Sequence, residues 1–203
     1  ALPLWVWLDV TTTDWQFVER VDWIPSIGAE YFIGVDGFSS LLILLATLMG
    51  VIAILSSWTA ITERVKEYYV FLLVLQTGMI GAFVALDFLL FFVFWEVMAV
   101  GSTLVIWSAG SNAARRAGMR YVMNHLLGGV VLMAGIVAHV SETGSVAFEV
   151  MALDGWPRWL ILAGFLVNAG APPISARITD SYTETSPSGI EFLSEFTTKA
   201  ADS

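Results

Sequence analysis

Residues 88–107 read FLLFFVFWEVMAVGSTLVIW, with one charge, Glu96, in the whole run. As an α-helix this stretch would rise about 30 Å, the thickness of the hydrocarbon core of a bilayer. It has no polar face to turn toward water, so lipid has to be its solvent. Four other stretches have the same character. They lie at about Phe38–Trp58, Tyr68–Leu86, Met119–Val140 and Trp159–Pro173. The expected fold is therefore all-α: a polytopic bundle of about five membrane-spanning helices.

Composition agrees. Of 203 residues, 57% are hydrophobic and 13% charged, with a mean hydropathy of +0.77; a soluble domain carries roughly twice that share of charge. A soluble protein of this size could not bury so many large side chains. The net charge of −9 comes from acids clustered in the first 37 and last 25 residues. There is no basic footprint for nucleic acid. With no cysteine, disulfides, thiolate metal sites and cysteine nucleophiles are excluded. Residues 1–8, ALPLWVWL, are too short and lack the basic flank of a signal peptide; they read as the stub of a longer helix.

The chain divides into three parts. Residues 1–37 are expected to be an extramembrane N-terminal loop, with turn signals at Pro25, Gly28, Gly34 and Gly37. Residues 38–174 form the transmembrane bundle, and 175–203 a polar C-terminal segment. Arg64 and Lys66 lie in the 59–67 loop, Arg115 and Arg116 in the 108–118 loop. The connections at Asp87 (a tight turn) and 141–157 are acidic. The positive-inside rule then makes loops 59–67 and 108–118 cytoplasmic and the N-terminal segment external.

Glu96 is the sharpest chemical signal. A carboxylate at mid-membrane depth costs several kcal/mol, and such residues are functional by default. A carboxyl group there can hold and release a proton near neutral pH. The alternative is a structural glutamate bonded to another helix. Thr103 lies one heptad further on the same face. His125 enters the next segment just before Gly128-Gly129. Imidazole can relay protons, the glycines allow a neighbouring helix close, and the alternative is a packing histidine. His139 is expected at the interface. Gln76 and Thr77 read as interhelical hydrogen-bonding groups. Asn168 precedes Pro172-Pro173; the prolines either break a helix that lines a cavity or mark its end. Lys199 forms an i, i+4 pattern with Glu195, as Glu195 does with Glu191, and so reads as a solvated charge on a surface helix. No nucleophile elbow, phosphate loop, haem pair or zinc spacing occurs, so no catalytic, cofactor or metal site is expected.

Four motifs occur in order: Gly34-Val35-Asp36-Gly37-Phe38-Ser39, Lys66-Glu67-Tyr68-Tyr69, Gln76-Thr77-Gly78-Met79 and Phe94-Trp95-Glu96-Val97-Met98. Together they resemble the antiporter-like membrane subunits of respiratory complex I, especially the M-type one, and the D-type member of the multisubunit Mrp sodium/proton antiporters. Arg116-Ala117-Gly118-Met119-Arg120-Tyr121 with His125, and Asn168-Ala169-Gly170-Ala171-Pro172-Pro173, look closer to the antiporter branch. The resemblance runs from about residue 15 to 200.

The resemblance implies proton or sodium/proton translocation by a membrane subunit working with other membrane subunits. The complex would be a proton-translocating NADH:quinone oxidoreductase or a cation/proton antiporter, expected in a bacterial cell membrane. It makes Glu96 the key intramembrane carboxylate, places His125 among water-chain residues, and maps a family lysine onto Lys199. Asn168 stands where the family has a lysine before its helix break. Ser175-Ala176-Arg177-Ile178-Thr179-Asp180 replaces the family's His-x-Trp-Leu-Pro-Asp run, keeping only the aspartate. Family members are more than twice as long, so the chain reads as a fragment or shortened copy. The leading expectation is a proton path through Glu96, His125, Asn168 and Lys199. The alternative is a non-conducting structural or assembly subunit, distinguished by whether a chargeable partner stands beside Glu96.

Overall fold

A computed structural model of the chain describes residues 2–9, 11–12, 14–148 and 155–169. Short helix α1 (Leu2–Trp7) is followed by strands β1 (Gln16–Ile24) and β2 (Ala29–Val35), then helices α2 (Gly37–Ser57), α3 (Val65–Val84), α4 (Phe88–Ser108), α5 (Asn112–Thr143) and α6 (Pro157–Asn168). Helices α2 to α5 are each long and apolar enough to cross a membrane. The 12 described residues of α6 fall short of that length. Pro172, Pro173, Glu191, Glu195, Lys199 and the whole 175–203 segment lie outside the described residues. Consecutive helices pack against each other in chain order.

Helix starts follow from local chemistry. At α2, the Asp36 side chain accepts from the Ser39 backbone N–H at 2.7 Å, and the Ser39 hydroxyl accepts from the Asp36 N–H at 2.9 Å. This reciprocal capping box satisfies two otherwise orphaned donors. Ser111 caps α5 by accepting from the Ala114 N–H. Arg115, Arg116 and Arg120 therefore lie on the first turns of α5, and the expected 108–118 loop reduces to a connection at 109–111. Alanine and arginine are strong helix formers, so the helix starts well before the apolar stretch that marks the membrane span.

The N-terminal segment expected as a loop contains an antiparallel hairpin. Its turn uses Pro25–Ile27 in a 3-10 turn and Gly28 in the left-handed region, φ 67°. β1 is exposed along almost its whole length, whereas β2 is mostly buried. An exposed strand has no reason to alternate apolar with polar residues, which removed the pattern that identifies strands.

The hairpin is tied to the helices through the α3–α4 connection. The Leu86 N–H donates to Phe32 O at 2.9 Å, the Phe88 N–H to Val146 O at 2.8 Å, and the Phe148 N–H to Leu86 O at 3.0 Å. At the centre is Asp87, 1% exposed. Its carboxylate accepts from the N–H groups of Leu89 (2.8 Å), Leu90 (3.0 Å) and Glu30 (3.2 Å). The expected tight turn is thus also a cap on α4 and a clasp on the hairpin.

Burial pushes the Asp87 carboxyl above its ordinary value, outweighing the three donors that favour its charged form. The folded chain then holds this proton to higher pH than the unfolded chain does, where aspartate titrates near ~4. The stability contributed is fully present below that pH and is lost as pH rises through the folded value. Wild type should therefore lose stability relative to Asp87→Asn as pH rises from about 4 toward neutrality. Thermal unfolding of both proteins across that range checks this; parallel curves would contradict it.

Candidate functional site

The site lies between α4, α5 and α6 and is built around two adjacent glycines of α5. Helices approach closely in lipid where small residues let backbones meet, and Gly128 and Gly129 do this for two different neighbours. A Cβ on Gly129 would sit 2.8 Å from Glu96 Oε1 on α4. A Cβ on Gly128 would sit 2.5 Å from the side-chain amide of Asn168 on α6. His125 stands one turn before the glycines, with Nε2 3.4 Å from Glu96 Oε1. The structure thus brings together Glu96, His125 and Asn168, three of the four residues singled out from sequence. The fourth, Lys199, lies outside the described residues.

The contact between His125 and Glu96 suits an ion pair when the imidazole is protonated, but is long for a strong hydrogen bond. The His125 side chain is 8% exposed and that of Glu96 32%, so Glu96 forms the outer edge of the cluster. His125 Nε2, both polar atoms of the Asn168 amide and Trp95 Nε1 are buried without a hydrogen-bond partner among the described residues. Buried polar groups of this kind are normally satisfied by protein or by ordered water. A carboxyl, an imidazole and an amide grouped this way can bind a proton, pass it on and orient a bridging water.

Two aromatic residues fix the imidazole. His125 stacks between Trp95, at 6.0 Å between centroids and 24° between planes, and Tyr121, at 6.1 Å and 18°. Trp95 is held in turn by Phe91 at 5.5 Å and Phe165 at 5.6 Å. Sequence reading did not single out Trp95 or Tyr121 as site residues. Tyr121 precedes His125 by four residues, one helical turn, which is the signal that could have found it. The Trp95 contact crosses two helices and has no such signature.

The remaining polar residues of the bundle divide. Gln76 Nε2 reaches Ala46 O of α2 at 3.4 Å, an interhelical contact as expected, whereas Thr77 bonds within its own helix to Leu73 O. Thr103 is buried and bonds to Ala99 O on its own helix. His139, expected at the interface, is buried against Phe88 at 5.5 Å, because α5 continues past it to Thr143.

The glycine pair makes a specific expectation. Gly129→Ala adds a methyl group against the free end of a flexible side chain, so the backbone can stay and the carboxyl moves away from His125. Alanine also favours helix by up to about 1 kcal/mol. The variant should fold at least as stably as wild type while any proton transfer between Glu96 and His125 falls several-fold. Thermal unfolding together with proton-flux measurements on the same preparation checks both halves.

Residues 85–202 match the family model described as NADH:quinone oxidoreductase/Mrp antiporter, transmembrane. The chain is 34% identical over 191 residues to an NAD(P)H-quinone oxidoreductase chain 4 of Picosynechococcus sp., covering 90% of this chain and 36% of that protein. It is 31% identical over 209 residues to F(420)H(2) dehydrogenase subunit M of Methanosarcina mazei, covering 93% and 42%. It thus spans about two-fifths or less of the length of these curated relatives. Its fold is similar to a chain of the Mrp complex from Dietzia sp., with TM-score 0.76, 19% identity and coverage of 95% of this chain and 23% of that one. It is similar also to a chain of respiratory complex I from Thermus thermophilus, with TM-score 0.73, 22% identity and coverage of 93% and 41%. With apolar helices of spanning length and a family match over more than half its residues, this integral membrane chain belongs to the NADH:quinone oxidoreductase/Mrp antiporter transmembrane family.

Proposed function

We propose that this chain translocates protons, or exchanges sodium for protons, as a membrane subunit of a multisubunit complex of the respiratory complex I or Mrp type. The observation that carries this reading is the Glu96–His125 contact at 3.4 Å inside the bundle. It supplies the chargeable partner whose absence would have favoured a structural role for Glu96. In this reading Glu96 takes up and releases the proton, and His125 relays it from a ring held between Trp95 and Tyr121. Asn168 orients bridging water, and Lys199 extends the path beyond the described residues. Coupling to redox chemistry or to a second ion belongs to partner membrane subunits. The 59–67 connection and the arginine-bearing start of α5 face the cytoplasm of a bacterial cell, with the hairpin outside, in accord with the positive-inside rule.

The test is proton flux into liposomes loaded with a pH-sensitive dye, carrying the chain with its partner subunits, under an imposed membrane potential. Flux well above that of liposomes carrying the partner subunits alone supports conduction through this chain. Equal flux in the two preparations, with the chain folded and inserted, would leave the structural reading in its place.

A further inference from the structure

A cavity of mixed polar and apolar lining lies apart from the Glu96 cluster, where α3 begins, α4 ends and α5 begins. It has a volume of about 380 Å³ and is lined by Arg64, Phe71, Leu104, Trp107, Ser108 and Arg115, with Gly110 at its rim. That size falls within the roughly 300–1,000 Å³ typical of small-ligand sites. Its wall is firmly built. Trp107 Nε1 donates to Arg115 O at 3.3 Å, and a Cβ on Gly118 would run into that indole nitrogen. The ring is thus seated against α5 and spans the α4–α5 connection.

We propose that this cavity binds the phosphate headgroup of an anionic membrane phospholipid. Arg64 and Arg115 both line it, from two different helix starts, and guanidinium matches the geometry of phosphate oxygens. Arg64 is paired with Glu67 three residues on, but both side chains are about half exposed, and such pairs are weak and readily exchanged. The sequence around Arg115 is strongly positive: Arg116 and Arg120 follow on the same helix, and no acidic residue occurs between Glu96 and Glu142. Phe71 and Leu104 provide apolar surface on the side of the membrane core, fitting the glycerol and first acyl carbons. Trp107 lies at the helix end, the depth that tryptophan favours in a bilayer. A free phosphate would use the arginines and leave the apolar surface unfilled. The site stands on the chain being an integral membrane protein and is independent of conduction.

Native mass spectrometry of the chain released from detergent micelles tests this. The probes are a phosphatidylglycerol, a phosphatidylcholine with the same acyl chains, and inorganic phosphate. Wild type should retain phosphatidylglycerol over phosphatidylcholine, and the Arg64→Gln/Arg115→Gln double variant should lose that preference by roughly tenfold or more, given the attraction of each surface arginine for anionic lipid. Arg158→Gln, which removes one arginine charge at the start of α6, away from the cavity, should retain it. Ser108→Glu should also expel the anionic lipid, and decides the matter if the double variant does not fold. Equal retention of the two lipids by wild type, or undiminished phosphatidylglycerol binding by the folded double variant or by Ser108→Glu, would overturn the proposal. Displacement of the lipid by millimolar inorganic phosphate would identify a free-phosphate site and overturn the lipid assignment.

Discussion

Replacing Glu96 with glutamine is expected to abolish proton flux while leaving the bundle folded. Glutamine has nearly the same shape and keeps a carbonyl oxygen to face His125 and Gly129, so packing against α5 is preserved. What disappears is the exchangeable proton. Positioned acid–base groups typically contribute about 10²–10⁴-fold to a proton-transfer step, so loss of the main carrier should bring flux down by about a hundredfold or more, to background. The stability change should stay near the range of a conservative substitution, about 1 kcal/mol. Glu96→Asp keeps the chemistry but retracts it by one methylene from an imidazole already at 3.4 Å, and should retain a small part of the flux. His125→Gln should reduce flux less than Glu96→Gln, because water can replace a relay more readily than a carrier. If the two act in series, the double variant should be no worse than Glu96→Gln alone. Dye-loaded proteoliposomes give all four rates in one assay, and unchanged flux in a folded Glu96→Gln protein would make the carboxyl structural.

The parts of this molecule legible in sequence were those governed by the solvent. Helices α2 to α4 begin and end within a few residues of the apolar stretches, since hydropathy and helix boundary coincide where connections are short. At α5 they separate, because the helix begins at Asn112, ahead of the apolar stretch, and carries Arg115 and Arg116 on its first turns. Glu96, His125 and Asn168 each stood out as costly polar groups in apolar surroundings. Their meeting around Gly128 and Gly129 depends on how three helices are rotated, which no single helix encodes. The hairpin escaped notice because β1 is exposed on both faces. Asp87 looked like a turn residue, and its third partner, Glu30, lies 57 residues away.

Gly164→Leu should be strongly destabilising. In lipid there is little hydrophobic gain in bringing helices together, so association rests on close packing. The α5–α6 contact is backbone to backbone. A Cβ on Gly164 would lie 2.7 Å from the Leu132 backbone, and one on Gly135 would lie 2.7 Å from Ile161 N. Backbone cannot yield as a flexible side chain can, so a leucine at 164 forces the helices apart. That opens the cluster of Phe88, Leu132, Ile136 and Ile161, against which Phe165 packs. Overpacking usually costs about 1–3 kcal/mol, and loss of this cluster should carry the change to the upper end of that range or beyond. Gly37→Ala is the matched control. Nothing lies within 4 Å of its added methyl group and its backbone is not left-handed, so its effect should stay within about 0.5 kcal/mol. Unfolding in increasing denaturing detergent, followed by tryptophan fluorescence, compares the variants. The same pair separates the roles of the polar residues. Gly164→Leu moves Asn168 and Phe165 with α6, and through Phe165 it also loosens Trp95 and the His125 ring stacked on it, although Glu96 and His125 themselves sit on α4 and α5. Flux that survives in this weakened protein would remove Asn168 from the proton path and leave the Glu96–His125 pair as its core. Flux lost in parallel with the α6 contact would implicate α6 in the path, through the Asn168 amide or through the Phe165–Trp95 support of His125, and Asn168→Leu separates the two.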